Sequence, residues 1–557
     1  MTRFGGRLKT TAGVAALLCC AAAFAQQQAP ATPQPGRDRP LPEAAPPPDI
    51  DFTIQAPRRS PVPRAVEELT FDVKDVHIVG TTRYGQDVLH PLIQPVIGQT
   101  VHLADLIAIA EQIEARYHQD GYVLTRAFVP TQSVNDGIFQ ITVVEGYVAA
   151  VAVQGGDEEI RERVEKILTP VTQARPLTIS MLEQALLSAN KLPGISASGL
   201  LRPSATEQGA SELVVTVKEQ PSSGGIAADN MGTPSTGRWT LAADATTASP
   251  LGDGGQVSLN ASSNPANPHI RYSAGGRYVA PLPLFDGMTY TLSALGSHGE
   301  PGGTVSDQSL VTNSTAFGAR ATLPLLVTRQ NEVSLDGGLT VQSSDVKLAG
   351  LTATHDEWRV FDLALTYQNT GWGDGVTNVT FDAAQGIPGL GATPISSVER
   401  SGDTEFTKFT AQVRRTQAID GPLSASLLVS GQYVNVHPVL GEEVNFGGQV
   451  IGRGYDPAAV TGDMGVGGAV ELRYDLNPSW FYADAAQVYG FLDGGQVHNH
   501  NGTIDHDKIA STGAGLRLTV PGNVIIGVFY GKALIGVAGS DEGKRSSRVM
   551  LNTAVRF

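Results

Sequence analysis

From about residue 224 to residue 557 the chain repeats one pattern: segments of roughly ten residues in which apolar and polar side chains alternate. Alternation of that period gives a β-strand one apolar face and one polar face. The last segment shows it most plainly. Val549, Leu551, Thr553, Val555 and Phe557 share one face, and Arg548, Met550, Asn552, Ala554 and Arg556 share the other. Val524, Ile526, Val528 and Tyr530 form another apolar row. About sixteen such segments can be counted, an even number. Short turns such as Asn477-Pro478-Ser479 and Pro521-Gly522-Asn523 join some of them, and long polar loops such as residues 494–508 and 536–547 join others. Strands with a single apolar face, short turns at one rim and long loops at the other predict an antiparallel transmembrane barrel. A terminal Phe, here Phe557, fits the same architecture.

Composition agrees with a glycine-rich β protein: 63 glycines, 41% hydrophobic and only 17% charged residues. A length of 557 residues leaves room for further domains ahead of the barrel. Residues 1–25 read as a secretory signal: Arg3, Arg7 and Lys9, then an apolar core from Val14 to Ala23, then the small-x-small site Ala23-Phe24-Ala25. The formal charge is 39 − 54 = −15, and without the three signal cations 36 − 54 = −18. So acidic a chain argues against nucleic acid as a partner. Cys19 and Cys20, the two cysteines, lie in the signal, so the mature chain is expected to hold neither disulfides nor thiolate metal sites.

Residues 26–68 are dense in proline, with Pro46-Pro47-Pro48 and Pro61-Val62-Pro63, and predict an extended, unpacked linker. Residues 69–146 read as a small α+β unit. Phe71, Val73, Val76 and Ile78 suggest a strand ending at Gly80; Leu103, Leu106, Ile107, Ala110, Ile113 and Tyr117 recur at helical spacing; strands follow over residues 122–129 and 138–144. Residues 147–220 repeat the plan, with a strand at 147–153, helices carrying Ile160, Val164 and Leu168 and then Leu182 and Leu186, and strands at 195–201 and 212–217. Two units on one plan point to an internal duplication.

Within the barrel region two charges stand out, because each is flanked by glycine. Arg453 lies in Gly452-Arg453-Gly454-Tyr455, and Asp493 in Phe491-Leu492-Asp493-Gly494-Gly495. A charge inside a barrel needs a partner or water. The pair suggests a loop pinned in the pore by one ion pair. An ordinary salt bridge stabilising the barrel is the competing reading. The latch is favoured, because glycines beside each charge permit close backbone approach.

The chain resembles the two-partner secretion transporters (TpsB) of the haemolysin secretion/activation type, over about residues 69–557. The motifs are Tyr117-x-x-x-Gly121-Tyr122, Val129-Pro130-x-Gln132, Val143-x-Glu145-Gly146, Leu192-Pro193-Gly194, Asp229-Asn230-Met231-Gly232, Phe446-Gly447-Gly448 and the two barrel motifs above, in this order. The resemblance implies a mainly β protein: a barrel of about 16 antiparallel strands at residues 221–557, preceded by two POTRA domains at 69–146 and 147–220. It implies a pore loop at about 434–465, after the eleventh strand, carrying Gly452, Arg453, Gly454 and Tyr455. Its barrel-wall partners are Phe491, Asp493 and Gly495, on the thirteenth strand. It implies outer-membrane location, contact with outer-membrane lipid, POTRA domains in the periplasm, and a large secreted exoprotein (TpsA-type) with an N-terminal secretion domain as partner. Unfolded partner would bind by strand addition at POTRA edges within residues 122–129, 147–153 and 195–201. Relatives often carry an N-terminal plug helix, but the prolines of residues 26–64 argue against a long helix there. A barrel assembly factor (insertase) of the same superfamily is the alternative, although such factors usually have three or more POTRA units.

Glu145-Gly146 is read as a turn between the units rather than a binding site, and Leu192-Pro193-Gly194 as a helix stop. His498, His500 and His506 with Asp505 and Asp507 resemble a metal cluster, but polar residues are ordinary in an exposed barrel loop, so no metal is expected. Nucleophile elbows, H-E-x-x-H and phosphate loops are absent from the sequence. No catalytic residue and no cofactor are therefore expected, and the chain is not expected to be an enzyme.

Overall fold

The computed structural model describes residues 52–55 and 69–557, apart from 135, 205–206, 249, 252–253, 283, 286, 302–309, 395, 398–399, 501–507 and 538–546. The expected signal, the plug segment and most of the proline-rich linker lie outside the described residues. Among the described residues no helix is long and apolar enough to cross a membrane.

Sixteen antiparallel strands close into a barrel, from Ser223–Asp229 to Ser547–Arg556. Closure joins the first strand to the last, with Ile226 opposite Val555. Gly224 and Phe557 exchange two backbone hydrogen bonds at 2.8 and 3.0 Å. A closed barrel leaves no edge unpaired, which the apolar core of a bilayer requires. Alternation sorts the side chains as the sequence predicts. On the eighth strand, Leu351–Asn369, Phe361, Leu363, Leu365 and Tyr367 are exposed on the outer surface, while Val360, Asp362 and Ala364 between them are buried. The seventh and eighth strands run to 18 and 19 residues, longer than the ten the pattern suggests.

The N-terminal units are two small α+β domains with separate cores. In the first, Leu106, Ile109, Ala110, Ile113 and Tyr117 of helix Leu103–Gln119 pack on Phe139, Ile141 and Val143 of strand Ile138–Val144. A further helix, Gln86–Ile93, contains Pro91, which as a helix breaker hides it in sequence; Leu89 and Ile93, four apart, bury it. The strand expected at 122–129 is only Arg126–Phe128. The chain around Tyr122 turns instead, with the amide of Thr125 bonded to the Tyr122 carbonyl.

In the second unit helices Glu158–Gln173 and Ile179–Ala189 cover a sheet of Tyr147–Gln154, Ile195–Pro203 and Ala210–Glu219. Asp157 and Thr178 cap the two helices, each accepting from an amide three residues on. Two expectations are corrected here. Residues 52–54 of the linker are not unpacked: Phe52–Ile54 adds to the sheet parallel to Gly199–Leu201. The edge at 195–201 is therefore covered there, whereas Arg126–Phe128 and Tyr147–Gln154 each lie at the end of their sheet.

The second unit abuts the barrel. Val327 of the sixth strand joins its core. Arg329 pairs with Glu183 at 3.2 Å and Glu332 with Lys191 at 2.6 Å. A side chain at Gly194 would meet Ala248 of the second barrel strand at 2.7 Å. Leu192-Pro193-Gly194 thus follows a helix end, as read from the sequence, and also lies in this contact.

Candidate functional site

The connection between the eleventh strand, Leu423–Val434, and the twelfth, Met464–Leu476, folds back on the inner wall. Its stems pair as a short ribbon, Val444–Phe446 with Val460–Gly462. Phe446, Ile451, Tyr455 and Val460 of this loop pack with Leu428, Val497, Ile509 and Ala533 of the wall. The wall is shaped for Phe446. A side chain at Gly467 would meet its ring at 2.7 Å and one at Gly495 at 2.6 Å. Gly495 thus meets the pore loop at Phe446, while Phe491 and Asp493 meet it at Arg453.

Arg453 stands at the tip, 6% exposed. Its Nε donates to Asp493 Oδ2 at 2.8 Å and its Nη1 to Glu471 Oε2 at 2.6 Å. The guanidinium carbon is 3.6 Å from the centre of the Phe491 ring. Asp493 Oδ1 accepts from the amides of Gly452 and Arg453, at 2.9 and 3.3 Å, and from the Ser511 hydroxyl. Ser511 in turn accepts from the Gly454 amide at 3.0 Å. Gly452 has φ +85°, where a side chain would be strained, and a side chain at Gly454 would meet the backbone of Lys532 and Ala533 at 2.7 Å. Tyr455 donates to the carbonyls of Ala510 and Ile535. Every residue of the tetrad is thus placed by the wall, and Asp493 holds both the side chain and the backbone of Arg453.

Sequence reasoning missed Glu471, Ser511, Arg473 and Arg517. Glu471 Oε1 accepts from Arg473 at 2.8 Å and Arg517 at 2.7 Å, so three guanidiniums share two carboxylates. Alternation marks such residues as inward-facing polar ones and says nothing of their partners. A second anchor was also missed. Glu442, in the turn Leu440–Glu442, forms an ion pair with Lys408 and accepts from Trp358 Nε1 at 3.0 Å and Gln342 at 3.2 Å. Those partners lie on the seventh, eighth and tenth strands, so the loop is held at two separate parts of the wall. A third contact reaches the seam. Arg548 of the last strand donates to the Tyr455 carbonyl at 2.6 Å and pairs with Asp456 at 2.7 Å. Asn230, of the Asp229-Asn230-Met231-Gly232 motif on and after the first strand, bridges that seam through Val549 and Leu551.

Glu145 accepts from Tyr117 Oη at 2.6 Å, from the amides of Thr82 and Arg83 at 2.8 and 2.9 Å, and from the Thr82 hydroxyl. Burial alone would raise its pKa, but these donors outweigh burial and hold it below the ordinary glutamate value. Of the histidine-rich loop, His506, Asp505 and Asp507 lie outside the described residues; the amide of His500 donates to Asp463 at 2.8 Å.

Residues 209–518 match the family described as haemolysin secretion/activation protein ShlB/FhaC/HecB, and residues 71–146 match the ShlB-type POTRA domain. The chain belongs to this family. Among its relatives, the haemolysin transporter protein HpmB of Proteus mirabilis is 30% identical over 246 residues, 43% of this chain and 42% of that protein's own length. The heme/hemopexin transporter protein HuxB of Haemophilus influenzae is 24% identical over 84% of both chains. The solved structure of CdiB from Escherichia coli shares the fold, with a TM-score of 0.66 at 18% identity, covering 99% of this chain and 97% of that one. The family member described here is an outer-membrane transporter of the two-partner secretion type, with its POTRA domains in the periplasm. The connection carrying Arg453 leaves the rim opposite those domains, on the outside.

Proposed function

We propose that the chain exports one large secreted protein of the TpsA type, and that the loop at residues 435–463 is the resting gate of the pore. The observation that carries this reading is the buried set of Arg453, Asp493 and Glu471, which fixes the tip of an outer loop to the inner wall. Such an arrangement is bistable: the loop is either seated with its charges paired, or released with them in water. The unfolded partner, presenting its N-terminal secretion domain, adds a strand at Arg126–Phe128 or Tyr147–Gln154, the sheet ends open in the periplasm. The outward apolar rows face outer-membrane lipid. Transport needs no cofactor, metal or catalysis by this chain in this reading; folding of the partner outside supplies direction.

The test is mass spectrometry of the culture medium from a strain deleted for this protein, against its parent. Loss of one large exoprotein, with the other outer-membrane barrels unchanged, is the expected result. A general fall in outer-membrane barrels without a missing exoprotein would identify an assembly factor instead.

A further inference from the structure

The stems of the pore loop carry three ligand-type side chains that the latch does not use. His437 follows the eleventh strand, Glu443 follows the turn Leu440–Glu442, and Asp463 precedes the twelfth strand, so both stems contribute. His437 Nδ1 lies 2.7 Å from Asp463 Oδ1 and 3.8 Å from Glu443 Oε1. All three ligand atoms fall within 4.8 Å of one another. A neutral imidazole that carries its proton on Nε2 turns the Nδ1 lone pair toward two carboxylates. Only a proton or a metal ion can stand between them.

Glu443 supplies the observation that favours the metal. Its side chain is 9% exposed, and among the described residues its carboxylate has no hydrogen-bond donor; the His437 ring at 3.8 Å is out of reach. A carboxylate buried to this degree with no protein donor is well placed to take a cation. Asp463, by contrast, is oriented: its Oδ2 accepts from the His500 amide at 2.8 Å, leaving Oδ1 for the cluster.

We propose that His437, Glu443 and Asp463 form a site for a divalent cation of the zinc class, which ties the two stems of the pore loop together. One imidazole nitrogen and two carboxylate oxygens are ordinary zinc ligands, and three of them leave a fourth position for water. Tetrahedral zinc sets its ligand atoms about 3.4 Å apart, between the two separations found here. The His437 side chain, 34% exposed, opens the site to solvent. A doubly charged ion balances the two carboxylates.

The test uses the full chain in detergent at pH 7.5, without an affinity tag and stripped of metal. Zinc chloride is titrated by calorimetry, and bound zinc is counted by mass spectrometry. One zinc per chain is expected, weakened at least about tenfold by Glu443→Gln and by His437→Ala, and kept when His498 and His506 are both replaced by Ala. Glu443→Gln keeps the side chain's shape, and heat-modified gel migration checks that its barrel is folded. No zinc on the wild-type chain would overturn the site and leave His437 held by a proton. Zinc unaffected by Glu443→Gln, or lost with His498 and His506, would overturn it as well. None of these readouts depends on export.

Discussion

Asp493 receives Arg453 twice: Oδ2 takes the side chain at 2.8 Å, and Oδ1 takes its backbone amide at 3.3 Å. One carboxylate therefore fixes both the position of the loop tip and the direction of its cation. The guanidinium adds a second carboxylate, Glu471, and lies over the face of Phe491. A planar, forked cation can do all three at once, and an ammonium cannot. Arg453→Lys is expected to keep the charge and lose the seat. In single-channel recordings it should resemble Arg453→Ala, with frequent open events, rather than the wild-type chain.

The second anchor makes a separate prediction. Lys408 and Glu442 are almost fully buried, at 1% and 3% exposure. Removing one partner of such a pair leaves a buried charge, at a cost of roughly 3–5 kcal/mol, while replacing both with apolar groups costs far less. Glu442→Leu should therefore lower the melting temperature of the barrel sharply. Adding Lys408→Met to it should recover most of the loss. A double variant no more stable than Glu442→Leu would show that Lys408 and Glu442 are not coupled.

Gly495→Val should act through Phe446. A Cβ at this position meets the ring at 2.6 Å, so the ring must leave its groove. The latch residues are untouched, yet the ribbon above them is pushed from the wall. Raised resting conductance with an intact barrel is expected. The smaller Phe446→Leu side chain, placed in the same chain, should restore closure in part.

Glu145 gives the first POTRA unit a pH dependence. Its folded-state pKa lies below the unfolded value of 4.5, so its stabilising contribution is complete above that value. The contribution is lost as pH falls through the folded value. Hydrogen exchange of helix Leu103–Gln119 should therefore separate the wild-type chain from Glu145→Gln at pH 6, and the difference should shrink progressively below pH 4.5. A difference that stayed constant with pH would mean that the Glu145 hydrogen bonds do not need the ionised carboxylate.

The barrel was legible because each strand has one face in lipid and one in the pore, and period-two alternation records that directly. Arg453 and Asp493 were legible for a different reason: glycines beside a charge mark close approach. Glu471, Ser511 and Glu442 carry no such flag. Their partners are set by strand register and by where a loop lands, and neither is written locally. Phe52–Ile54 escaped for a related reason. Strand addition uses backbone hydrogen bonds, so it asks little of side chains, and the prolines around it suggest a free linker. Helix Gln86–Ile93 was hidden by Pro91, although burial of Leu89 and Ile93 outweighs the lost hydrogen bond.

Export itself tests the latch most directly. In a strain lacking the native copy, the wild-type chain and Arg453→Ala are expressed at equal level, and the partner exoprotein in the medium is quantified. Equal amounts of folded barrel in the outer membrane are expected, with export by Arg453→Ala lowered at least about tenfold, the factor that corresponds to about 1.4 kcal/mol. Wild-type export by Arg453→Ala would contradict the account and reduce the ion pair to an ordinary brace of the barrel.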